Sequence, residues 1–417
     1  MPSMEAVVRA IRRVRRPDGH AAFGFILISI FLDVLALGVV IPVLAPLVQS
    51  FRGGDAGAAA GVLALFGSTY AAMTLLGSPF LGVLSDSVGR RPVLLIGLFA
   101  LGFDYLAMGF APNLTWLFAG RVVAGLAGAT GVVAGAYIAD TTSDEDRARA
   151  YAWAGAIWGF GFIAGPALGG WLGRYGVRAP FWCAAGLTIL GAIYGAVVLP
   201  ESLTRERRAA FRLSRANPLG SLALLRARPG LAKLSVLSFL RWLAHGAVAT
   251  LFVLYAANRY GLGPAYAGSA LAIYGVFDIL VQALLVTRVI AALGERGAML
   301  AGLAFGCVAF VIFGLAPNGW LFGLGLPFLA LIDLFGPGFL AIVTRGVGSS
   351  EQGRLQGAIF GVQTGAQVIG PALFGATYAS LEAGPHSRMP GVSFLIAAGV
   401  FALALGLAPT LTRKRDQ

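Results

Sequence analysis

The sequence predicts an all-α membrane protein: twelve spanning helices in two pseudo-symmetric six-helix halves. Three observations predict it. Hydrophobic residues make up 58% of the 417 residues and charged residues only 12%. Soluble domains carry about 25% charged residues, so this chain cannot cover a water-facing surface. Apolar segments close to the ~20 residues needed to cross a bilayer recur along the whole chain, and none alternates like a barrel strand. Finally, Ile163–Gly170 reads IAGPALGG and Val368–Gly375 reads VIGPALFG, an offset of 205 residues. The same offset relates Arg149 to Arg354, Gly89 to Gly294 and Arg91 to Arg296. Two parallel halves of this kind are a duplication seen in secondary transporters.

The spans are expected at 22–48, 58–83, 92–112, 115–139, 149–173 and 179–200, then 232–257, 265–290, 298–317, 320–344, 353–379 and 391–411. The domain reading follows: a basic N-terminal segment at 1–21, a first half at 22–200, a linker at 201–231, a second half at 232–411 and a tail at 412–417. The apolar run after Arg9, Arg12, Arg13, Arg15 and Arg16 is longer than the ~7–15 residues of a signal peptide, so it reads as a retained first helix. Glycine is 59 of 417 residues, which suits helices packed through small side chains.

Charge placement sets the orientation. With the N-terminus in the cytoplasm, cytoplasmic segments and the span ends adjoining them hold 24 of the 31 Lys and Arg residues. The other face holds Arg52, Arg174, Arg178, Arg259 and Arg388, while Arg121 and Arg241 fall inside spans. This bias follows the positive-inside rule, places both termini in the cytoplasm and accounts for the net charge of +13 without nucleic acid. The expected partners are the lipid bilayer, a small-molecule substrate and protons. No cofactor is expected. The chain has no P-loop and no metal-ligand spacing, and Cys183 and Cys307 sit in apolar runs. Nothing supports an enzyme: there is no HExxH motif and no serine nucleophile arrangement.

Three motifs stand out. The turn after the second span reads GVLSDSVGRRP, with Gly82, Asp86, Gly89, Arg90 and Arg91. Its glycines permit a tight turn, and Asp86 can meet an arginine or a helix N-terminus. At the equivalent place in the second half the aspartate is Ala291, so that copy reads as degenerate. In the fourth span, Gly125, Gly128 and Gly131 would allow close helix contact. In the fifth span, Gly161, Gly165, Pro166, Gly169 and Gly170 form a Gly-Pro segment that would free backbone groups and bend the helix.

Charges inside the bilayer are Asp33, Asp104, Arg121, Arg241, His245, Asp278 and Asp333. Each is costly in hydrocarbon and is a functional candidate by default, and a partner is expected for Arg121. Arg241 and His245 are four apart and share a helix face. Four carboxylates, two arginines and a histidine could relay protons.

The GxLxDxxGRR turn resembles the signature loop of the major facilitator superfamily, and GFIAGPALGG resembles the fifth-helix motif of its drug–proton exchangers. Ala119–Thr142, the first-span LDVLALGVVIPVL, the third-span Asp104-Tyr-Leu and the Gly353–Gly357 stretch together resemble tetracycline/proton antiporters. The resemblance implies a twelve-helix efflux pump that exchanges a tetracycline–divalent cation complex for a proton. It implies that Asp33, Asp104, Arg121 and Gln282 line the drug and proton path, that the Asp86–Arg90 loop latches the halves, and that Asp140 ends the fourth helix. It implies a bacterial inner membrane. The chain departs from the pattern in helix nine, where Gly306 replaces an acidic residue, in helix eight, where Asp278 replaces a histidine, and at Thr74. Asp278 or Asp333 could take over the acidic role. A sugar or nutrient facilitator is the alternative within transport. A non-transporting membrane receptor or assembly protein is the alternative of another class.

Overall fold

The computed structural model describes residues 19–143, 145–213, 216–217, 220–345, 347, 351–382 and 390–411. The arginines of the N-terminal segment, Arg215, Arg388 and the tail from 412 lie outside them. The first three spans are Gly19–Phe51, Ala56–Val88 and Arg90–Gly109. The fourth is Leu114–Gly128 continued by Thr130–Thr141, and the fifth and sixth are Arg147–Leu172 and Ala179–Val198. The linker carries the short helix Ala223–Ala227. The seventh span is Pro229–Tyr260, and the eighth starts as Pro264–Leu280. The helix Val286–Leu315 completes the eighth span and forms the ninth, turning at Gly294 with φ 72° and ψ 172°. The tenth is assembled from Gly319–Gly323, Gly325–Leu331, Ile332–Leu334 and Phe335–Arg345. Gln352–Leu381 and Val392–Leu411 complete the set.

Among the described residues, ten helical stretches are long and apolar enough to cross a membrane. One of them, Pro264–Leu315, is 52 residues long and holds two spans. The eleventh span is not among the ten because it carries Arg354, four glutamines and two threonines between its apolar residues. Local chemistry explains the ends. Asp55, Asn113 and Asn318 each accept a hydrogen bond from a backbone N–H in the first turn of the helix that follows. Gly89, at φ 113°, allows the reversal between spans two and three.

Three spans are less regular than their apolar pattern suggests. The fourth breaks at Ala129, where the Thr130 hydroxyl donates to the Ala127 carbonyl at 2.7 Å. The eighth loosens into a π turn at Val281–Leu285. The tenth tightens into a 3-10 turn at Ile332–Leu334, because Pro337 has no N–H for the Asp333 carbonyl.

The halves are built alike. In the first, span one packs on spans five and six, span three on six, and span two on four. In the second, span seven packs on eleven and twelve, nine on twelve, and eight on ten. The halves meet along two seams, span five with eight and span two with eleven. The turns after spans two, four, eight and ten share one side with the linker, the basic side, and the remaining turns lie on the far side. The Gly-Pro segment of span five serves two neighbours. A Cβ on Gly165 would stand 2.7 Å from Gly38 Cα of span one, and a Cβ on Gly170 would stand 2.9 Å from Gly268 Cα of span eight. Span eleven repeats the arrangement. Gly370 lies against Leu243 and Gly246 of span seven, and Gly375 against Ala60 and Ala64 of span two. These seams lie in the far-side part of the bundle. There the Gln49 amide also donates to Asn258 Oδ1 at 2.8 Å, joining spans one and seven.

A small substitution tests the seam. Gly268→Ala adds a methyl 2.3 Å from the Pro166 carbonyl oxygen, whereas Gly186→Ala enters open space. Overpacking of this kind costs about 1–3 kcal/mol, so Gly268→Ala should melt several degrees lower in detergent while Gly186→Ala melts no lower than the unmodified chain. Equal melting of the two variants would contradict the seam.

Candidate functional site

The charges predicted inside the bilayer fall into two clusters, one in each half. In the first, Asp104 of span three and Arg121 of span four are buried, each about 7% exposed. Gly120 makes room for them: a Cβ there would stand 2.8 Å from Asp104 Oδ1. Among the described residues Arg121 makes no direct ion pair. Its guanidinium reaches the Met108 sulfur at 3.0 Å and acts on Asp104 through space. The expected partner is therefore a sulfur, because Met108 stands between the two spans one turn beyond Asp104. Tyr70 and Tyr105 complete the group and lie within the field of both Asp33 and Arg121. The glycines of span four divide. Gly125 and Gly128 give room to Tyr70, while Gly131 faces open space. Thr74 donates to the Gly125 carbonyl at 3.0 Å and so ties spans two and four together.

Asp33 lies on the wall of a cavity of about 540 Å³. The basic-side parts of spans one, three, four, five and six line it together with Tyr70 of span two, and Ser29, Thr130, Tyr151 and Trp158 are its other polar and aromatic lining. The cavity is contained in the first half and is not centred between the halves. Its space comes from glycines on its wall: a Cβ on Gly131 or on Gly155 would meet nothing within 4 Å.

The second cluster is more fully paired. Arg241 of span seven bonds directly to Asp333 of span ten, and its guanidinium lies over the rings of Trp242 at 5.0 Å and Phe335 at 5.6 Å. The Tyr274 hydroxyl donates to Asp333 Oδ2 at 3.5 Å. Asp278 of span eight lies beside Asp333, and the Gln282 amide donates to Asp278 Oδ2 at 2.9 Å. His245 sits one turn from Arg241 with its ring edge-on to Trp242, 5.3 Å between centroids. The helix irregularities explain the placement. The π turn follows Asp278 directly, and the 3-10 turn contains Asp333. Such local departures from α geometry are common at functional sites. The structure thus brings Asp278, Gln282, Asp333, Arg241 and His245 together and keeps them apart from Asp33, Asp104 and Arg121.

The basic-side loop is a third network. Arg90 pairs with Asp86 at 2.5 Å and with Asp140 at 3.2 Å, and it donates to the Ser85 hydroxyl. Arg91 donates to the Ala196 carbonyl at 2.5 Å, near the end of span six. Glu201 opens the linker and accepts the Arg90 backbone N–H at 2.8 Å, so it caps the third span from outside. It fills the space that Gly89 leaves: a Cβ there would stand 2.3 Å from its carboxylate. The linker continues along the loop, with the Ala209 N–H donating to the Asp86 carbonyl. All these partners belong to the first half and the linker.

Sequence reasoning missed Glu201, Met108, Tyr70 and Tyr274. Tyr274 carried a signal, since it lies one helical turn before Asp278. Met108 and Tyr70 carried none, because their contacts cross between spans. Gly306, at the place where the resemblance puts an acidic residue, is covered by the Phe401 ring, 2.4 Å from where a Cβ would be. That position packs on span twelve and has no room for a carboxylate. Gly161, Gly165 and Gly169 face span one, and Gly170 faces span eight. The Gly-Pro segment is therefore a packing seam on two sides.

The comparisons with known proteins agree with this architecture. The family model described as Major Facilitator Superfamily matches residues 26–371. Tetracycline resistance protein, class C, of Escherichia coli is 36% identical over 392 residues, covering 93% of this chain and 96% of that protein. Tetracycline resistance protein, class G, of Vibrio anguillarum is 36% identical, covering 85% of this chain and 89% of that protein. In structure, the nucleoside transporter NupG superposes with a TM-score of 0.78 at 14% identity, covering 94% of this chain and 100% of that one; at this identity it speaks for the fold alone. With the family model matched over most of the chain and relatives at 36% identity covered over most of their length, the chain belongs to the Major Facilitator Superfamily.

Proposed function

We propose that this chain is a proton-coupled exporter of small drug molecules, with tetracycline as the first candidate, working by alternating access in a bacterial inner membrane. The observation that carries the proposal is the carboxylate of Asp33 on the wall of a drug-sized cavity. Relatives named as tetracycline resistance proteins, at 33–36% identity, support the substrate class. A divalent cation would travel as cargo with the drug.

The positive-inside rule puts the basic side in the cytoplasm, together with both termini. The far-side seams then close the periplasmic face, and the cavity lies on the cytoplasmic side of the barrier. This is the state that takes up drug from the cell. Two six-helix halves rock about the seams, joined by the linker at 201–231. Asp33 is the group that carries charge in the cavity. Bound drug and bound proton would favour different states of the transporter, so each shifts the population that the other meets. With position 306 packed against Phe401, the acidic role of helix nine passes to Asp278 and Asp333. The Asp86–Arg90 loop holds spans two and three in a fixed relation while the halves move.

Drug accumulation in cells, with and without a proton uncoupler, tests the function. Expression should lower tetracycline accumulation, and the uncoupler should restore it. A metabolite taken up without proton flux would instead indicate a facilitator, and stable partner capture without any solute flux a receptor. Asp33→Asn should remain in the membrane and lose uncoupler-sensitive export, and normal export by that variant would remove Asp33 from the mechanism. Asp86→Asn should slow the cycle without unfolding the protein. The Asp86 side chain is about half exposed, and such an ion pair contributes about 0–1 kcal/mol to stability. An unchanged transport rate would remove the loop from gating.

A further inference from the structure

Span five gives the Asp33 cavity a wall with a regular build. Tyr151, Ala154, Gly155 and Trp158 all line the cavity. They lie three, four and seven residues apart, so they share one face of the helix. That face has a ring at each end and almost no side chain between. At 1.5 Å per residue, the two ring-bearing positions stand about 10 Å apart along the helix. Tyr151 is the nearer to the basic-side start of the span at Arg147, and Trp158 lies deeper.

Both rings are held in place. The Tyr151 hydroxyl donates to the Gly135 carbonyl of span four at 2.9 Å, and a Cβ on Gly135 would stand 3.9 Å from the Tyr151 ring. Phe162, one turn beyond Trp158, stacks on its ring with 5.3 Å between centroids and 6° between planes. Protein therefore takes one face of the indole, yet Trp158 is 49% exposed and lines the cavity. Span four answers with glycines. Gly131 and Gly135 line the same cavity, and a Cβ on Gly131 or on Gly155 would meet nothing within 4 Å. The space that Gly131 leaves is filled by no helix, so it belongs to the cavity. Backbone on two spans and rings at both ends give this part of the cavity the form of a slot.

We infer that the slot is the drug subsite, that it takes a flat molecule of fused rings between Tyr151 and Trp158, and that Trp158 is the residue that selects such molecules over globular ones. The inference rests on the exporter reading above and names its substrate class. Walls made of backbone admit a thin molecule and leave no room for a branched one. Fused rings stack on an indole in the offset geometry that Phe162 already adopts on it. Asp33, on the wall that span one supplies, favours a ligand that carries a cationic group or a bound cation.

Binding to the purified full-length chain tests the slot, with tetracycline and ethidium as flat fused-ring probes and erythromycin as a globular one. Trp158→Ala should weaken binding of both flat probes about tenfold, and Trp158→Phe, which keeps a ring, by no more than about threefold. Gly131→Leu and Gly155→Leu put a side chain into the slot and should each weaken flat-probe binding by about tenfold as well. Gly186→Leu, in open space outside the cavity, should leave it unchanged. Any binding of erythromycin should change less than about twofold in the Trp158 variants. In vesicles, Trp158→Ala should raise KM for the flat probes and hold the maximal rate per molecule within about twofold. The glycine variants keep the test decisive where Trp158→Ala does not fold, as its melting temperature will show. Flat-probe binding that survives these substitutions in folded protein would overturn the inference. An equal loss for erythromycin would overturn the selection by Trp158, and an unmodified chain that binds neither flat probe would overturn the slot. The exporter reading fails separately: Trp158-dependent binding without uncoupler-sensitive export would keep the slot and remove the pump.

Discussion

The close approach of backbones at the two inter-half seams is the constraint on which the rest of the structure depends. Helices in a bilayer gain nothing from the hydrophobic effect by leaving lipid for one another, so their association rests on van der Waals contact and a few polar bonds. Contact of that quality needs small residues. Gly170 against Gly268 and Gly375 against Ala60 and Ala64 supply it between the halves. Gly165 against Gly38 and Gly370 against Gly246 supply it within them. One Gly-Pro segment in each half thus builds an internal contact and an external one. The internal face joins helices within each half, and the external face joins one half to the other.

The halves share a scaffold and differ in chemistry. The first encloses a cavity with Asp33 on its wall, and its buried Asp104 and Arg121 interact without a direct bond. The second pairs Arg241 directly with Asp333, supports that aspartate with Tyr274 and sets Asp278 beside it. Buried charges are costly unless paired and hydrogen-bonded. Three of the six spans carrying them, spans four, eight and ten, depart from regular geometry, at Ala129, at Val281–Leu285 and at Ile332–Leu334. Freed backbone groups and charged side chains therefore occur together, and a membrane interior tolerates both only where protein or a cavity surrounds them.

The basic-side turns show how a duplicated scaffold keeps a physical relation while changing residues. The same relations recur in both halves: Gly89 and Gly294 at positive φ, the ion pairs Arg90–Asp140 and Glu295–Arg345, and Arg91 and Arg296 on helix-end carbonyls. Residue identity alone hides the repeat, because arginine and aspartate in one half correspond to glutamate and arginine in the other. Glu201 adds a link that repeat logic does not contain. Its carboxylate joins the linker to the start of span three, so the connection between the halves also forms part of the loop.

Much of the fold was legible in the residues. Span lengths follow from bilayer thickness, the orientation reading from the placement of arginines, and the two halves from the offset of 205 residues. These are properties of single segments, and a segment meets the bilayer alone. The eleventh span was read from its apolar residues, although its polar residues weaken that signal. The intramembrane charges were legible as unusual residues. Tertiary structure decided which of them meet, that Arg121 finds a sulfur, that position 306 lies under Phe401, and that the cavity belongs to one half. Those facts depend on how closely backbones from distant segments approach, and the one-dimensional pattern contains no distance between spans.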